Sequence, residues 1–390
     1  MPSFDFQVDK NDLSTHRLIH PLPASLSAGQ VRLSIERFAL TANNITYGVA
    51  GDMIGYWQFF PAENNWGRIP VWGVATVAES NCDDIEAGTR FYGYYPMSSE
   101  LVVEPARINE RGFVDASKHR EALPPTYNQY AVLSDANGYT DGKDNHQMLY
   151  RPLFTTAFVL DDFFMDNTFF GAESIMLSSA SSKTSFGFAF MLKQSGKVKV
   201  IGLTSKGNIG FVESLGLYDE VITYDDIEDL STDTTTAFVD MAGNREVLGR
   251  IHHHFEDKLV YSCGVGITHW DSREGADPSS LPGAKPAMFF APSQIQKRHK
   301  DWGAATFQDK LTSAWNAFLD RVDQWVNIRE NTCPESLAAV FEEVRNGASP
   351  DEGIVLVNGD GTVVPDKASV TTKLAVTEVL PFSSFSWRSP

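Results

Sequence analysis

Between residues 174 and 262 short apolar runs alternate with stretches of helical spacing, and this alternation leaves the chain few folds to choose from. Ser174-Ile175-Met176-Leu177, Lys199-Val200-Ile201-Gly202-Leu203, Glu220-Val221-Ile222, Thr236–Asp240 and Lys258–Ser262 read as strands, with Ala287–Phe290 as a sixth. Helical character fills Thr184–Leu192 and Asn208–Leu215. Short apolar strands separated by helices form a parallel sheet covered on both faces, the doubly wound class of α/β fold.

The N-terminal hundred or so residues follow another rule. Val31-Arg32-Leu33-Ser34-Ile35-Glu36 alternates apolar and polar, the period of a half-buried strand. Val71–Val77, Arg90–Tyr95 and Leu101–Val103 add three more, with glycine and acidic turns between. Residues 107–150 read as an ordered but coil-rich insertion, and 153–168 carry near-helical spacing. Helical spacing returns at 307–330 and 334–346, before strands at Gly353–Val357 and Lys373–Val376. A chain of 390 residues exceeds what one core usually serves. We therefore expect a β-rich domain of residues 1–150, completed by 326–390, and an α/β domain of residues 151–325. The active site is expected in the cleft between them, beyond the carboxyl ends of the parallel strands.

Charge and cysteine usage exclude several functions. Lys and Arg number 32 against 50 Asp and Glu, a net charge of −18 that repels nucleic acid and anionic membranes. Three dispersed cysteines, Cys82, Cys263 and Cys333, make neither a disulfide scaffold nor a four-cysteine zinc site. The polar N-terminal stretch lacks the apolar core of a signal peptide, and no apolar run nears the roughly 20 residues of a membrane span. A cytoplasmic protein is expected.

The chemistry is sought first in the turn Ser178-Ser179-Ala180-Ser181-Ser182-Lys183-Thr184-Ser185, which links the first parallel strand to a helix. In a nucleotide-binding βαβ unit this turn lets backbone N–H groups approach a diphosphate, a task that usually takes glycine. Serine is the next smallest polar choice, and its hydroxyl can donate to a phosphate oxygen. Lys183 adds a cation where the helix dipole already favours an anion. The second strand ends in Thr204-Ser205-Lys206 rather than the Asp or Glu that binds a ribose 2′-hydroxyl. Hydroxyls and a cation suit a 2′-phosphate, so NADPH is favoured over NADH as the ligand. The competing reading is a polar strand-to-helix turn that merely caps its helix.

The stretch from Ser174 to Asp226 resembles the cofactor half of the medium-chain dehydrogenase/reductase superfamily. Its most specific piece is Phe211-Val212-Glu213-Ser214-Leu215-Gly216, followed by Asp219-Glu220-Val221-Ile222-Thr223-Tyr224. The likeness continues through Val239–Gly243 and Lys258–Gly264. In the first half, Val31–Asn44 resembles the strand and loop that enter that family's active site, and Gly88–Gly93 its later turn and strand. Residues 107–148 and 265–286 match poorly. The resemblance implies a GroES-like catalytic domain joined to a Rossmann dinucleotide-binding domain. It also implies a homodimer formed by strand addition at Ala287–Phe290. Cofactor contacts are implied at Ser179, Ser181, Ser182, Lys183, Thr184, Ser185, Thr204, Ser205, Lys206, Tyr224 and Gly264.

The departures from the family narrow the chemistry. Its phosphate-turn glycines fall on Ser179, Ser182 and Ser185. The catalytic-zinc cysteine falls on Asn43, and the Gly-His-Glu motif on Trp72-Gly73-Val74, none of which suits zinc. The pattern is that of the zinc-independent branch, with its quinone oxidoreductases and enoyl reductases. Such an enzyme reduces an activated C=C or C=O with a nicotinamide hydride and needs a proton from elsewhere. Tyr47 and Tyr56 are the candidate donors. Asn43 and Asn44 are candidates to hold a carbonyl or the nicotinamide ribose, beside the aromatic run at 56–60. Two rival readings are a lyase- or hydrolase-like enzyme and a non-catalytic binding protein, each having lost the dinucleotide. His252-His253-His254 reads as a helix-end cluster, Cys263 as a buried small residue, and His269-Trp270-Asp271 as either pocket or surface.

Overall fold

The structure is a computed structural model that describes residues 3–265 and 280–359. The second half carries a six-stranded parallel sheet ordered Glu220–Thr223, Lys199–Thr204, Ser174–Leu177, Thr236–Asp240, Leu259–Val265 and Ala287–Phe289. The first strand in sequence lies centrally and the winding reverses beside it, so the fold is doubly wound. Pleating sends Ile175 and Leu177 into one core and Met176 into the other. The first of these cores is aromatic, with Phe154, Phe186, Phe190, Trp315 and Phe318 packed between helices Asp144–Asp166, Lys183–Ser195 and Ala304–Val322. The other is filled from helix Arg245–Phe255 by Val247, Leu248, Ile251 and Phe255.

A nine-stranded mixed sheet is built around the long strands Val31–Leu40, Pro70–Ser80 and Arg90–Pro96. Strands Glu352–Asn358 and Asn327–Cys333, from the far end of the described chain, extend it on one side. Residues 107–150, expected as coil-rich, supply Gly112–Asp115 and Gln129–Val132 on the other, with Pro105–Asn109 beyond them. A three-stranded sheet of Asp5–Asp9, His16–Ile19 and Trp66–Gly67 completes the β structure among the described residues. The architecture is therefore mixed α/β, a β-rich sheet together with a doubly wound parallel one.

One expected boundary moves. The helix placed at 153–168 runs from Asp144 to Asp166 with Pro152 inside it. Proline has no N–H to give, so the carbonyl of Met148, four residues earlier, is left without its helical donor. The strand expected at Lys373–Val376 lies outside the described residues. No helix among the described residues is long and apolar enough to cross a membrane.

Candidate functional site

The carboxyl ends of strands Ser174–Leu177 and Thr236–Asp240 are knitted together by two buried side chains. Ser178 Oγ donates to Asp240 Oδ1 at 2.7 Å and accepts from the backbone N–H of Met241 and Ala242. Asp240 Oδ1 also accepts from Ala242 and Gly243. Burial pushes the Asp240 carboxyl above its usual range, against the pull of these hydrogen bonds. The next residue, Ser179, turns the chain at φ 47, the left-handed region that favours glycine. A serine thus performs the turn expected of the missing glycine.

The hydroxyls of this turn have separate tasks. Ser182 caps helix Lys183–Ser195, accepting the Ser185 N–H at 3.3 Å. Ser185, fully buried, returns its own hydroxyl to the Ser178 carbonyl at 3.1 Å. Ser181 Oγ accepts from Asn208, a neighbour the sequence did not single out. The backbone N–H groups of Ser181, Lys183 and Thr184 carry no hydrogen bond among the described residues. Such unsatisfied donors at the start of a helix make an anion cradle.

Around this cradle the other sequence-derived candidates divide. Tyr224, at the end of the sheet's edge strand, brings its hydroxyl to the Ser179 N–H at 2.8 Å. Lys206 stands in solvent with its ammonium 2.8 Å from Asp225, which raises its proton affinity. Ser205 beside it is exposed, whereas Thr204 is buried. Lys183 reaches away from the turn to the Glu352 carbonyl at 3.0 Å, and burial lowers its ammonium to about 8. Gly264 is buried in register with Asp240 on the adjacent strand. Gly202 lets Ala180 and Tyr218 close over the second strand, since a Cβ there would meet both within 3.0 Å.

A second element of the site is a small cleft of about 20 Å³. Thr41, Asn43 and Asn44 form one wall, Trp72 another, and Met148, Leu149, Pro152 and Leu153 of helix Asp144–Asp166 the third. That helix packs on both strand Val31–Leu40 and helix Lys183–Ser195, so it joins the cleft to the phosphate-type turn. Asn44 is fully engaged: it accepts from the Thr41 N–H and hydroxyl and donates to the Pro70 carbonyl. Its task is to hold the loop. Asn43 is exposed and donates to the Tyr47 hydroxyl at 2.7 Å.

Behind Asn43 lies a tyrosine cluster. The Tyr47 and Tyr56 rings are 4.3 Å apart, and the Tyr56 hydroxyl is 3.3 Å from that of Tyr127. Tyr94 packs against Tyr47, Trp72 and Tyr127, and its hydroxyl is buried. Burial raises the proton affinity of Tyr47, Tyr56 and Tyr94 well beyond that of an ordinary phenol. They stay protonated across the physiological range.

A family model described as "Protein of unknown function (DUF2855)" matches residues 38–350. The chain belongs to the DUF2855 family. No curated protein matches it in sequence. Among solved structures it is similar to the CurK enoyl reductase, with a TM-score of 0.56 and 12% identity over 92% of this chain and 100% of that one. It is also similar to CurA from Vibrio vulnificus in complex with NADPH, at a TM-score of 0.59 and 11% identity, covering 91% and 99% of the two chains. The yhdH oxidoreductase from Salmonella enterica, in complex with NADP, gives 0.50 and 12% over 88% and 95%. At such identities the likeness establishes the fold, which is that of the medium-chain dehydrogenase/reductase superfamily.

In this DUF2855 chain His252, His254 and Cys263 have structural partners or a buried place. His252 is buried, bonded to the Pro282 carbonyl and the Ser262 hydroxyl, and His254 meets the Leu230 carbonyl. Cys263 is buried, and burial pushes its thiol up. His269, Trp270 and Asp271 lie outside the described residues. No group of three or more His, Cys, Asp or Glu among the described residues is arranged to hold a metal ion.

Proposed function

We propose that this DUF2855 chain is an NADPH-dependent, zinc-independent oxidoreductase that reduces an activated C=C or C=O of a small enone, enoyl thioester, quinone or ketone. The observation that carries the reading is the turn Ser178–Ser185. It sits at the strand-order reversal of a doubly wound sheet and keeps unpaired N–H donors at a helix start. The left-handed Ser179 and the close Gly202–Ala180 packing support this reading of the turn. Ser181, Ser182 and Thr184 would hold the diphosphate, with Ser205 and Lys206 on the 2′-phosphate. Lys183 would act on that anion through its nearby charge only, because its ammonium is tied to Glu352. The structural neighbours crystallised with NADPH or NADP support the same cofactor.

When bound, the cofactor supplies a hydride. The chain supplies the rest. Asn43, which lines the cleft, donates to the Tyr47 oxygen, and we infer that the phenolic proton serves an acceptor beside it, such as the oxygen of a developing enolate. Tyr56 and Tyr127 hold each other by their hydroxyls, and Tyr56 supports Tyr47 through ring contact. Trp72 gives the cleft a flat apolar wall. We infer a division into residues 1–150 with 326–390 and residues 151–325, and a homodimer through the sheet edge at Ala287–Phe289, where Met288 and Phe290 are exposed.

The test is thermal unfolding with NADPH, NADP and NADH. A saturable rise with NADPH well above that with NADH supports the reading. No shift with any of them returns the protein to the non-redox or binding classes.

A further inference from the structure

Among the described residues four arginines are buried, and three of them have their counter-charges. Arg32 pairs with Glu79 and Glu100, Arg120 with Asp115, and Arg298 with Asp162, Asp166 and Asp301. Arg151 is 7% exposed and pairs with no carboxylate among the described residues, and its Nη1 has no hydrogen-bond partner. Its guanidinium lies over the Trp315 ring, 5.2 Å from the centroid. Tyr92 is the neighbouring titratable group, and its hydroxyl is likewise buried and unpartnered. The indole N–H of Trp315 is a third buried donor lacking an acceptor. Burial lowers the guanidinium to about 10.

A buried cation without an anion costs several kcal/mol, and unpaired donors around it add to that cost. The position is also next to the cleft. Arg151 does not itself line the cleft but shares its helix with the cleft-lining Leu149, Pro152 and Leu153. The Tyr92 ring stacks on cleft-lining Trp72 at 5.3 Å and 13°.

We propose that Arg151 and Tyr92 form a carboxylate-binding site behind the Trp72 wall, filled by the acid group of a substrate or by a small free carboxylate. A planar guanidinium matches a carboxylate edge, and a phenol can donate to the same group. One cation with neutral donors balances a single negative charge, which suits a carboxylate better than a phosphate dianion. For its substrate-borne source the proposal rests on the reductase reading of the cleft.

The experiment titrates the full chain with acetate, crotonate and methyl crotonate at fixed pH and ionic strength, following thermal unfolding, with NADPH binding measured in parallel. We expect a saturable rise with acetate, crotonate or both and none with methyl crotonate. In Arg151→Met the half-saturating concentration rises at least about tenfold. Tyr92→Phe, which keeps the ring and the charge, gives a smaller loss. A response to acetate marks a site for free carboxylates; a response to crotonate alone marks one that needs the rest of the molecule in the cleft. No rise in the native protein, an equal rise in all three proteins, or an equal response to methyl crotonate overturns the proposal. NADPH binding without any carboxylate response sinks this inference alone. An Arg151-dependent response without NADPH binding sinks the reductase reading and leaves the site standing.

Discussion

The Tyr224 hydroxyl accepts the backbone N–H of Ser179 at 2.8 Å, so a side chain from the sheet's edge strand occupies a donor of the phosphate-type turn. In a turn of this shape that N–H points to where an anion gathers. Tyr224→Phe removes the acceptor and frees the donor. We expect the ligand-free variant to unfold a few degrees lower, the cost of one unpaired amide being about 1–3 kcal/mol. NADPH should bind it as tightly as the native protein or a few-fold tighter. Calorimetric titration checks this, and a tenfold weaker affinity would show that the phenol itself contacts the cofactor.

The Lys206–Asp225 pair is fully in solvent and contributes little to stability, but it stands at the end of the second strand where the two nicotinamide cofactors differ. Lys206→Ala should weaken NADPH by about tenfold or more and leave NADH within about twofold. Asp225→Asn removes the carboxylate that competes for Lys206 and should move affinity the other way. Equal effects on both cofactors would dissociate Lys206 from the 2′-phosphate.

Much of this architecture was legible in the sequence, for reasons the structure makes plain. The parallel strands are buried on both faces, so Ile175, Met176 and Leu177 are all apolar and read as one run. Strand Asn327–Cys333 escaped because it is a largely exposed edge with no apolar alternation, and the start of helix Asp144–Asp166 was masked by Pro152. In the site, Asn43 and Tyr47 are one helical turn apart, and their contact follows from that spacing. Tyr94 and Tyr127 were missed. Tyr94 sits opposite Trp72 in the Pro70–Ser80 and Arg90–Pro96 pairing, a register that no local pattern specifies. Tyr127 arrives from a short 3₁₀ turn, and the want of a carboxylate beside Arg151 among the described residues is a matter of space rather than of sequence.

Tyr47 and Tyr56 are separable by experiment. Tyr47→Phe keeps the ring contacts at 4.3 Å but removes the proton that Asn43 orients. It should lower kcat by about 10²-fold with little change in NADPH affinity, the range of a lost general acid. Tyr56→Phe should lower it less, by about tenfold, since its hydroxyl bonds to Tyr127 rather than to the cleft. Full activity in both variants, measured on any enone that the native protein reduces, removes tyrosine from the chemistry.

At the sheet edge, Met288 and Phe290 expose 46% and 66% of their surface beside the last parallel strand, Ala287–Phe289. An apolar edge, unpaired among the described residues, is a template for a second copy. Phe290→Asp should convert the dimer we propose to a monomer by light scattering, with the fold retained by circular dichroism. An unchanged mass in both proteins would place any self-association elsewhere.

Asp161 gives the clearest pH dependence. It is buried in helix Asp144–Asp166 with one carboxyl oxygen unpartnered, and burial, helped by neighbouring Asp162 and opposed by Lys197, raises it to about 7. In the unfolded chain the same group titrates near 3.8. Between these values the folded state holds a proton that the unfolded state has released, so this group's contribution to stability falls as pH rises from about 4 to about 7. Asp161→Asn removes the titration. The variant should be roughly 2–4 kcal/mol more stable than the native protein at pH 8, with the gain shrinking steadily toward pH 5. Urea unfolding at pH 5, 6.5 and 8 reads the difference directly. A gain that does not vary with pH would mean that the amide stabilises by packing or hydrogen bonding, and that Asp161 ionises normally in the fold.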